Sequence, residues 1–294
     1  MRLQDIRLRD PFVFPYEGKY YMYGTGRPNA EDINAGWQFW CWTSTDLQVW
    51  SKPVCVFDAP DDFWAEKNFW APEVYAYNGK FYMLASFIAE GKNRATQALV
   101  AESPLGPFKV CGKPLTPENW MCLDGTLYIE DNKPYLVFCH EWVQVQDGEI
   151  AFCPLKDDFS RADGKPTVLF KASESGWAER IVHKGRTGVV TDGPFLYHDG
   201  TSLTMFWSSF FKGAYAVGMA ESASGKLAGP WLHKKDLLFE KDGGHGMVFR
   251  DFGGQLYYCL HQPNIAPKER PRFFQIQKTE QGFRIGREIN NYDE

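Results

Sequence analysis

Four acidic residues and one histidine hold comparable places along this chain: Asp10 in RDPF, Glu73 in WAPE, Asp124 in LDGT, Asp192 in TDGPF and His245 in GHGM. Each adjoins a Pro or Gly and stands at the head of an apolar stretch. Carboxyls gathered in one cavity repel, so some are driven toward the protonated form while others stay ionised. Two carboxyls in those opposite states, on a concave face, can hydrolyse a glycosidic bond: one protonates the leaving oxygen, the other activates water or attacks the sugar. A gap of roughly 6.5 to 9.5 Å admits a water and inverts the anomeric centre, whereas roughly 5 Å permits direct attack and retention.

Chemistry of this kind requires elements that bring distant residues together, and the surroundings of these five residues repeat. Hairpin patterns begin at Arg9, Ala71, Leu123, Thr191 and Gly244, each an apolar strand, a turn of Gly, Asn or Asp, and a second apolar strand. A third strand, a polar turn and an outer strand follow each, as in QFWCWTSTDLQVW and AVGMAESASGKLAGPW. Five four-stranded units fill the chain, which predicts an all-β, five-bladed β-propeller forming a single domain over residues 1–294. A β-sandwich or two small β domains is the competing architecture. The pattern does not say how the ring closes.

In a propeller the innermost strands all run in the same direction, so the residues opening them collect at one mouth of the channel. The second strands return to that face, which adds Thr25, Phe87, His140, Glu141, Trp142, Ser208, Phe210, His261 and Gln262. Phe12, Trp70, Trp142, Phe195 and Phe210 are expected to offer flat apolar faces to a sugar, or else to pack between blades. Glu73 is a ligand for a sugar hydroxyl, a partner for a nearby Arg, or a structural acceptor. His245 closes the channel floor, holds a cation directly or through water, or is a neutral member of a hydrogen-bond network. Arg270 or Arg272, in ERPRFF, reaches the mouth or is solvated surface charge. The loops from Gly26 to Gln38 and from Ala89 to Arg94 are expected to wall the pocket. No H-x-x-x-H, Cys cluster or Asp-rich loop demands a metal.

Composition limits the alternatives. Among 294 residues, Phe 23, Tyr 14, Trp 11, Gly 27 and Pro 18 favour strands and turns. A net charge of −5 provides no basic stripe for nucleic acid. No run of 18 apolar residues is present to span a bilayer, and MRLQDIRLRDPF lacks the apolar core of a signal peptide. For the chain as given a cytoplasmic protein is expected, with a removed leader as the alternative. The seven cysteines are scattered singly, which suggests reduced, buried thiols and weakly favours a reducing compartment.

Taken in order, RDPF, WAPEVY, the Asp at the head of the third unit, DGPFLY and GHGMVF resemble glycoside hydrolase family 43 over essentially the full length. The resemblance implies a five-bladed propeller that removes terminal α-L-arabinofuranosyl or β-xylosyl residues from plant-type saccharides, usually with inversion. It makes Asp10 the general base and Asp124 the third carboxylate that orients and tunes the acid. No cofactor is implied beyond calcium or another cation in the channel, and the partner is a carbohydrate. The family's general acid is usually a Glu in E-G-P, whereas this chain has Asp192-Gly193-Pro194, one methylene shorter. Asp192 is then the acid with the sugar drawn closer, or Glu141 or Glu179 donates the proton, or the chain is a carbohydrate-binding propeller that has lost its acid. A protein-interaction propeller is disfavoured, because WD-type signatures are absent and acidic residues head several inner strands.

Overall fold

The computed structural model describes residues 1–28 and 36–289. Five four-stranded antiparallel sheets follow one another in chain order. Blade one holds β1 (Arg9–Tyr16), β2 (Lys19–Thr25), β3 (Gln38–Ser44) and β4 (Val54–Asp58); blade two holds β5 (Lys67–Tyr77), β6 (Lys80–Ile88), β7 (Ala95–Ala101) and β8 (Lys109–Cys111). Blade three holds β9 (Cys122–Glu130), β10 (Lys133–His140), β11 (Glu149–Pro154) and β12 (Thr167–Lys171), with the one-turn helix α1 (Trp142–Val145) after its second strand. A separate hairpin, β13 (Arg180–His183) and β14 (Arg186–Val189), precedes blade four: β15 (Asp192–His198), β16 (Leu203–Phe211), β17 (Ala214–Ser222) and β18 (Trp231–His233). Blade five is β19 (Gly244–Arg250), β20 (Leu256–Gln262), β21 (Arg270–Thr279) and β22 (Gly282–Glu288). The predicted all-β, five-bladed propeller is the observed fold.

The inner hairpins form because aromatic and β-branched runs meet at turns that favour left-handed backbone. Glu17-Gly18, Asn78-Gly79 and Asp131-Asn132, in the inner turns of blades one to three, and Lys212-Gly213, between β16 and β17, have positive φ at both residues. That is the type I′ geometry, whose twist matches the flanking strands. Neighbouring blades bury apolar layers against each other: blades two and three around Leu84, Leu136 and Phe159, blades three and four around Val137, Trp177 and Trp207, and blades four and five around Phe206, Tyr258 and Phe283. The layer containing Phe39, Phe57, Phe87 and Phe273 joins blade one to blades two and five. Cys41, Cys122, Cys139, Cys153 and Cys259 are buried within these layers and all seven cysteines are free thiols.

Every blade is made of consecutive strands, so the ring closes without a shared sheet. Side chains and termini close it. Asp10 N–H donates to His261 Nδ1 at 3.2 Å, and the Cys259 thiol donates to Pro11 O at 3.1 Å. Arg270 Nε donates to Gln4 O at 2.7 Å, and the amino terminus donates to Trp50 O at 2.7 Å.

Candidate active site

The same irregularity recurs in all five inner strands. Arg9 pairs with Thr25 but Phe12 with Tyr23; Trp70 pairs with Ser86 but Glu73 with Leu84; Asp192 pairs with Ser208 but Phe195 with Phe206. Leu123 with Cys139, then Thr126 with Val137, and Gly244 with His261, then Met247 with Cys259, complete the set. Each bulge carries a residue of positive φ: Asp10 (51°), Ala71 (46°), Asp124 (57°), Gly193 (49°) and His245 (46°). A bulge turns a side chain out of the regular pleat. Non-glycine residues bear a cost of roughly 1–2 kcal/mol in this region, a form of strain that gathers at functional sites.

The bulges reset the register inferred from sequence. Asp10, Asp124 and His245 are true equivalents. Asp192 is equivalent to Arg9, one residue earlier, and Glu73 is equivalent to Phe12, two residues deeper.

Three ring positions therefore bring titratable groups together. His245 Nδ1 lies 3.3 Å from Asp10 Oδ1 and 3.5 Å from Asp124 Oδ2. Burial alone would raise the Asp10 carboxyl, but His245, then Arg9, then the Thr25 hydroxyl outweigh it and hold it below its ordinary value. Asp124 is pushed well above its ordinary value by burial and by the charge of Asp10, against the pull of a bond from Gly193 N–H at 2.9 Å. Asp192 is raised to about 7 by burial and then by Asp124, while His245 and the Tyr215 hydroxyl, which donates to Asp192 Oδ2 at 3.1 Å, oppose the shift. The site thus holds one carboxylate biased toward ionisation and two carboxyls biased toward protonation.

His261 is buried and its value falls to about 3, through desolvation and then the charge of Arg9. It is therefore neutral. Because Nδ1 accepts from Asp10 N–H, the network assigns the proton to Nε2, which faces Asn264 Oδ1 at 3.3 Å. Its 3.4 Å approach to Asp10 Oδ1 is accordingly not an ion pair.

Other expected site residues lie elsewhere. Glu141 is buried and takes Arg94 Nε at 2.6 Å, and the Arg94 guanidinium stacks 4.0 Å from the centre of the Trp70 ring. A carboxylate neutralised in this way is an acceptor, which argues against Glu141 as the proton donor. Glu179 is exposed on the rim, its N–H bonded to Phe210 O. Glu73 lies below the bulge layer, bound by the Tyr75 hydroxyl, and burial raises it to about 7. Phe12 packs in the channel against Tyr75 and Phe195, at ring distances of 5.3 and 6.4 Å. These two positions support the channel beneath the mouth.

Trp70, Trp142 and Phe210 are half-buried, and Phe210 lies 5.4 Å from the Tyr215 ring. Arg270 caps backbone carbonyls of Gln4, Pro267 and Glu269, and Arg272 pairs with Glu288; neither reaches the carboxylates. Phe87 belongs to the core, and His140 is stacked 4.2 Å from Trp120 and bonded to Glu149 and Gln144. Of the loop expected from Gly26 to Gln38, residues 29–35 lie outside the described residues.

Arg9, Tyr215 and Arg94 also lie close enough to act on these carboxyls, and the sequence pattern does not single them out. Arg9 is the cation beside the carboxyls, raised by Asp10, Tyr215, Glu269 and Asp192 against the lowering effect of its own burial. Its signal was its adjacency to Asp10 in RDPF; Tyr215, on a third strand, gave none. Among the described residues, no three His, Cys, Asp or Glu side chains form a metal-ligand group. A cation beside His245 would therefore draw most of its ligands from water.

A five-bladed channel with opposed carboxyls at one mouth defines a glycosidase-type propeller. The sequence profile of Glycosyl hydrolases family 43 matches residues 4–288, and the chain belongs to that family. It is similar to the endo-arabinase from Bacteroides thetaiotaomicron VPI-5482, with 41% identity, a TM-score of 0.89, and coverage of 96% of this chain and 99% of that one. It is 23% identical to the extracellular endo-α-(1→5)-L-arabinanase 1 of Bacillus subtilis (strain 168), over 81% of this chain and 71% of the relative. It is 21% identical to the extracellular exo-α-(1→5)-L-arabinofuranosidase ArbA of Cellvibrio japonicus (strain Ueda107), over 83% of this chain and 72% of that relative. These relatives are labelled extracellular, as is a third from Streptomyces avermitilis. That overturns the cytoplasmic expectation, which rested on the character of the first residues and on free cysteines.

Proposed function

We propose that this glycoside hydrolase cleaves α-L-arabinofuranosyl linkages in arabinan-type saccharides with inversion, Asp10 acting as general base and Asp192 as general acid. The observation that carries the proposal is the opposed bias of the two carboxyls: Asp10 is held down by His245 and Arg9 despite burial, while Asp192 is raised to about 7. An acid with a value near 7 is protonated often enough to donate and weak enough to reload. Asp124, whose charge raises Asp192, is the tuning group. The Tyr215 bond keeps the Asp192 carboxyl in one orientation.

The same observation favours catalysis over a sugar-binding propeller, because a bare binding site has no use for a half-buried carboxyl biased toward protonation. The arabinofuranosyl choice rests on the names of the similar proteins, among them arabinanases and an exo-arabinofuranosidase. The expectation of terminal-residue removal is weighed against the endo name of the 41% identical structure.

The test is incubation with linear arabinan, arabino-oligosaccharides, xylan, and p-nitrophenyl α-L-arabinofuranoside and β-xyloside. Arabinan cleavage abolished by Asp10→Asn supports the proposal, and the product lengths report terminal or internal attack. Xylan cleavage alone, or no sugar release from any substrate, overturns it.

A further inference from the structure

The second strand of each blade presents one side chain opposite the bulge: Thr25, Ser86, Cys139, Ser208 and His261. Four of the five reach across to the next blade and accept the N–H of its left-handed residue. Thr25 takes Ala71 N–H at 2.7 Å, Ser86 takes Asp124 N–H at 2.8 Å, Ser208 takes His245 N–H at 2.8 Å, and His261 takes Asp10 N–H at 3.2 Å. These bonds form a belt around the channel, one at each of four blade junctions, and pin four of the bulges in place.

The belt is broken at a single junction. Between blades three and four the acceptor position holds Cys139, fully buried, and the Gly193 N–H instead goes to Asp124 Oδ2 at 2.9 Å. A thiol is a weak acceptor. Burial, then the charges of Asp124 and Asp192, push Cys139 well up, so it stays a thiol and gains no acceptor strength as a thiolate. Gly193 follows Asp192 directly, so the diverted bond ties the peptide of the proposed acid to the carboxyl of the proposed tuning group.

We infer that Cys139 is a positioning residue: by leaving the Gly193 N–H untaken, it frees that donor to couple Asp124 to the Asp192 peptide. A hydroxyl at 139 would complete the belt as Ser86 and Ser208 do, and would detach Asp124 from the acid. The inference rests on the roles given above to Asp192 and Asp124, but the hydrogen bond itself can be tested apart from them.

Cys139→Ser and Cys139→Ala separate the two effects. Serine supplies an acceptor at nearly unchanged volume, whereas alanine removes the sulfur and supplies none. On arabinan the Ser variant is expected to lose about tenfold in kcat with KM unchanged, well within what general acid assistance contributes. Its alkaline pH limb is expected to move down, because Asp124 without the Gly193 bond carries less charge to hold Asp192 up. The Ala variant is expected to keep kcat within about threefold while losing some stability to the cavity it leaves. A purely structural role predicts the reverse order, with Ala the more damaging.

Independently of activity, the Gly193 amide resonance followed by 1H–15N NMR should titrate with a neighbouring carboxyl in the wild type and the Ala variant, and lose that titration in the Ser variant. Wild-type kcat and pH profile in Cys139→Ser, or an unchanged Gly193 titration there, would overturn the inference. An inactive wild type that still shows the NMR difference would sustain the bond and overturn only the proposed function.

Discussion

Asp10 and Asp124 approach the same nitrogen, His245 Nδ1, at 3.3 and 3.5 Å, yet their carboxyls are displaced in opposite directions. The asymmetry comes from what else each one meets. Asp10 also has Arg9 and the Thr25 hydroxyl, whereas Asp124 faces the charges of Asp10 and Glu141. One imidazole therefore does not serve both equally, and the carboxyls titrate as a coupled set in which Asp10 is the member biased toward ionisation.

The pH dependence of kcat/KM follows. The proposed roles require Asp10 ionised and Asp192 protonated, so the profile should be bell-shaped. Its alkaline limb should fall near the value of about 7 carried by Asp192, and its acid limb below the ordinary carboxylate range. A profile on arabino-oligosaccharide at constant ionic strength checks both limbs.

Replacing the proposed acid should stabilise the fold while removing most of the activity on arabinan. An unfolded Asp ionises near pH 3.9, and Asp192 in the folded chain near 7. Between those values the folded state holds the extra proton, so its stability falls as pH rises, and above about 7 the penalty is constant. Asp192→Asn, which cannot ionise, should gain up to about 4 kcal/mol at pH 7 and nothing below pH 4. Thermal unfolding of both proteins at pH 4 and pH 7 measures the difference.

The blade count, the turns and the convergence of Asp10, Asp124 and His245 were legible in the sequence because each follows from a local pattern repeated in every unit. The bulge was not legible. RDPF and TDGPF look alike when their acids are superimposed, but the Pro stands one residue after Asp10 and two after Asp192. Aligning the prolines sets Gly193 on Asp10 and Asp192 on Arg9, as the bulges do. Glu73 in WAPE shifts for the same reason. Arg94 and Glu141 were unreadable as a pair because their contact joins a loop of blade two to a strand end of blade three.

That pair provides a contrast with the acid. Arg94→Ala leaves the Glu141 carboxylate buried without its partner and should cost about 3–5 kcal/mol in stability. Glu141→Gln should also destabilise, but because Glu141 is held as an acceptor, the leaving-group dependence of the remaining activity should match wild type. Denaturant unfolding combined with rates on two aryl arabinosides tests both statements.

Gly193 is fixed twice over. Its φ is +49°, and a Cβ there would lie 2.7 Å from two atoms of the His245 ring. Gly193→Ala should therefore displace His245 from Asp10 and Asp124, reducing kcat by at least about tenfold and stability by about 1–3 kcal/mol. Activity assays and thermal unfolding on the purified variant would register both.

Proton delivery by Asp192, as proposed, is separated from other roles by leaving-group dependence. Wild type and Asp192→Asn are compared on arabinan and on aryl arabinofuranosides with phenols of graded acidity. A departing dinitrophenolate needs no proton, while a sugar alkoxide does. The loss is expected to be small for dinitrophenyl arabinofuranoside and to rise to about 10²–10⁴ for arabinan. A loss of the same size across the whole series, or none on arabinan, would contradict it.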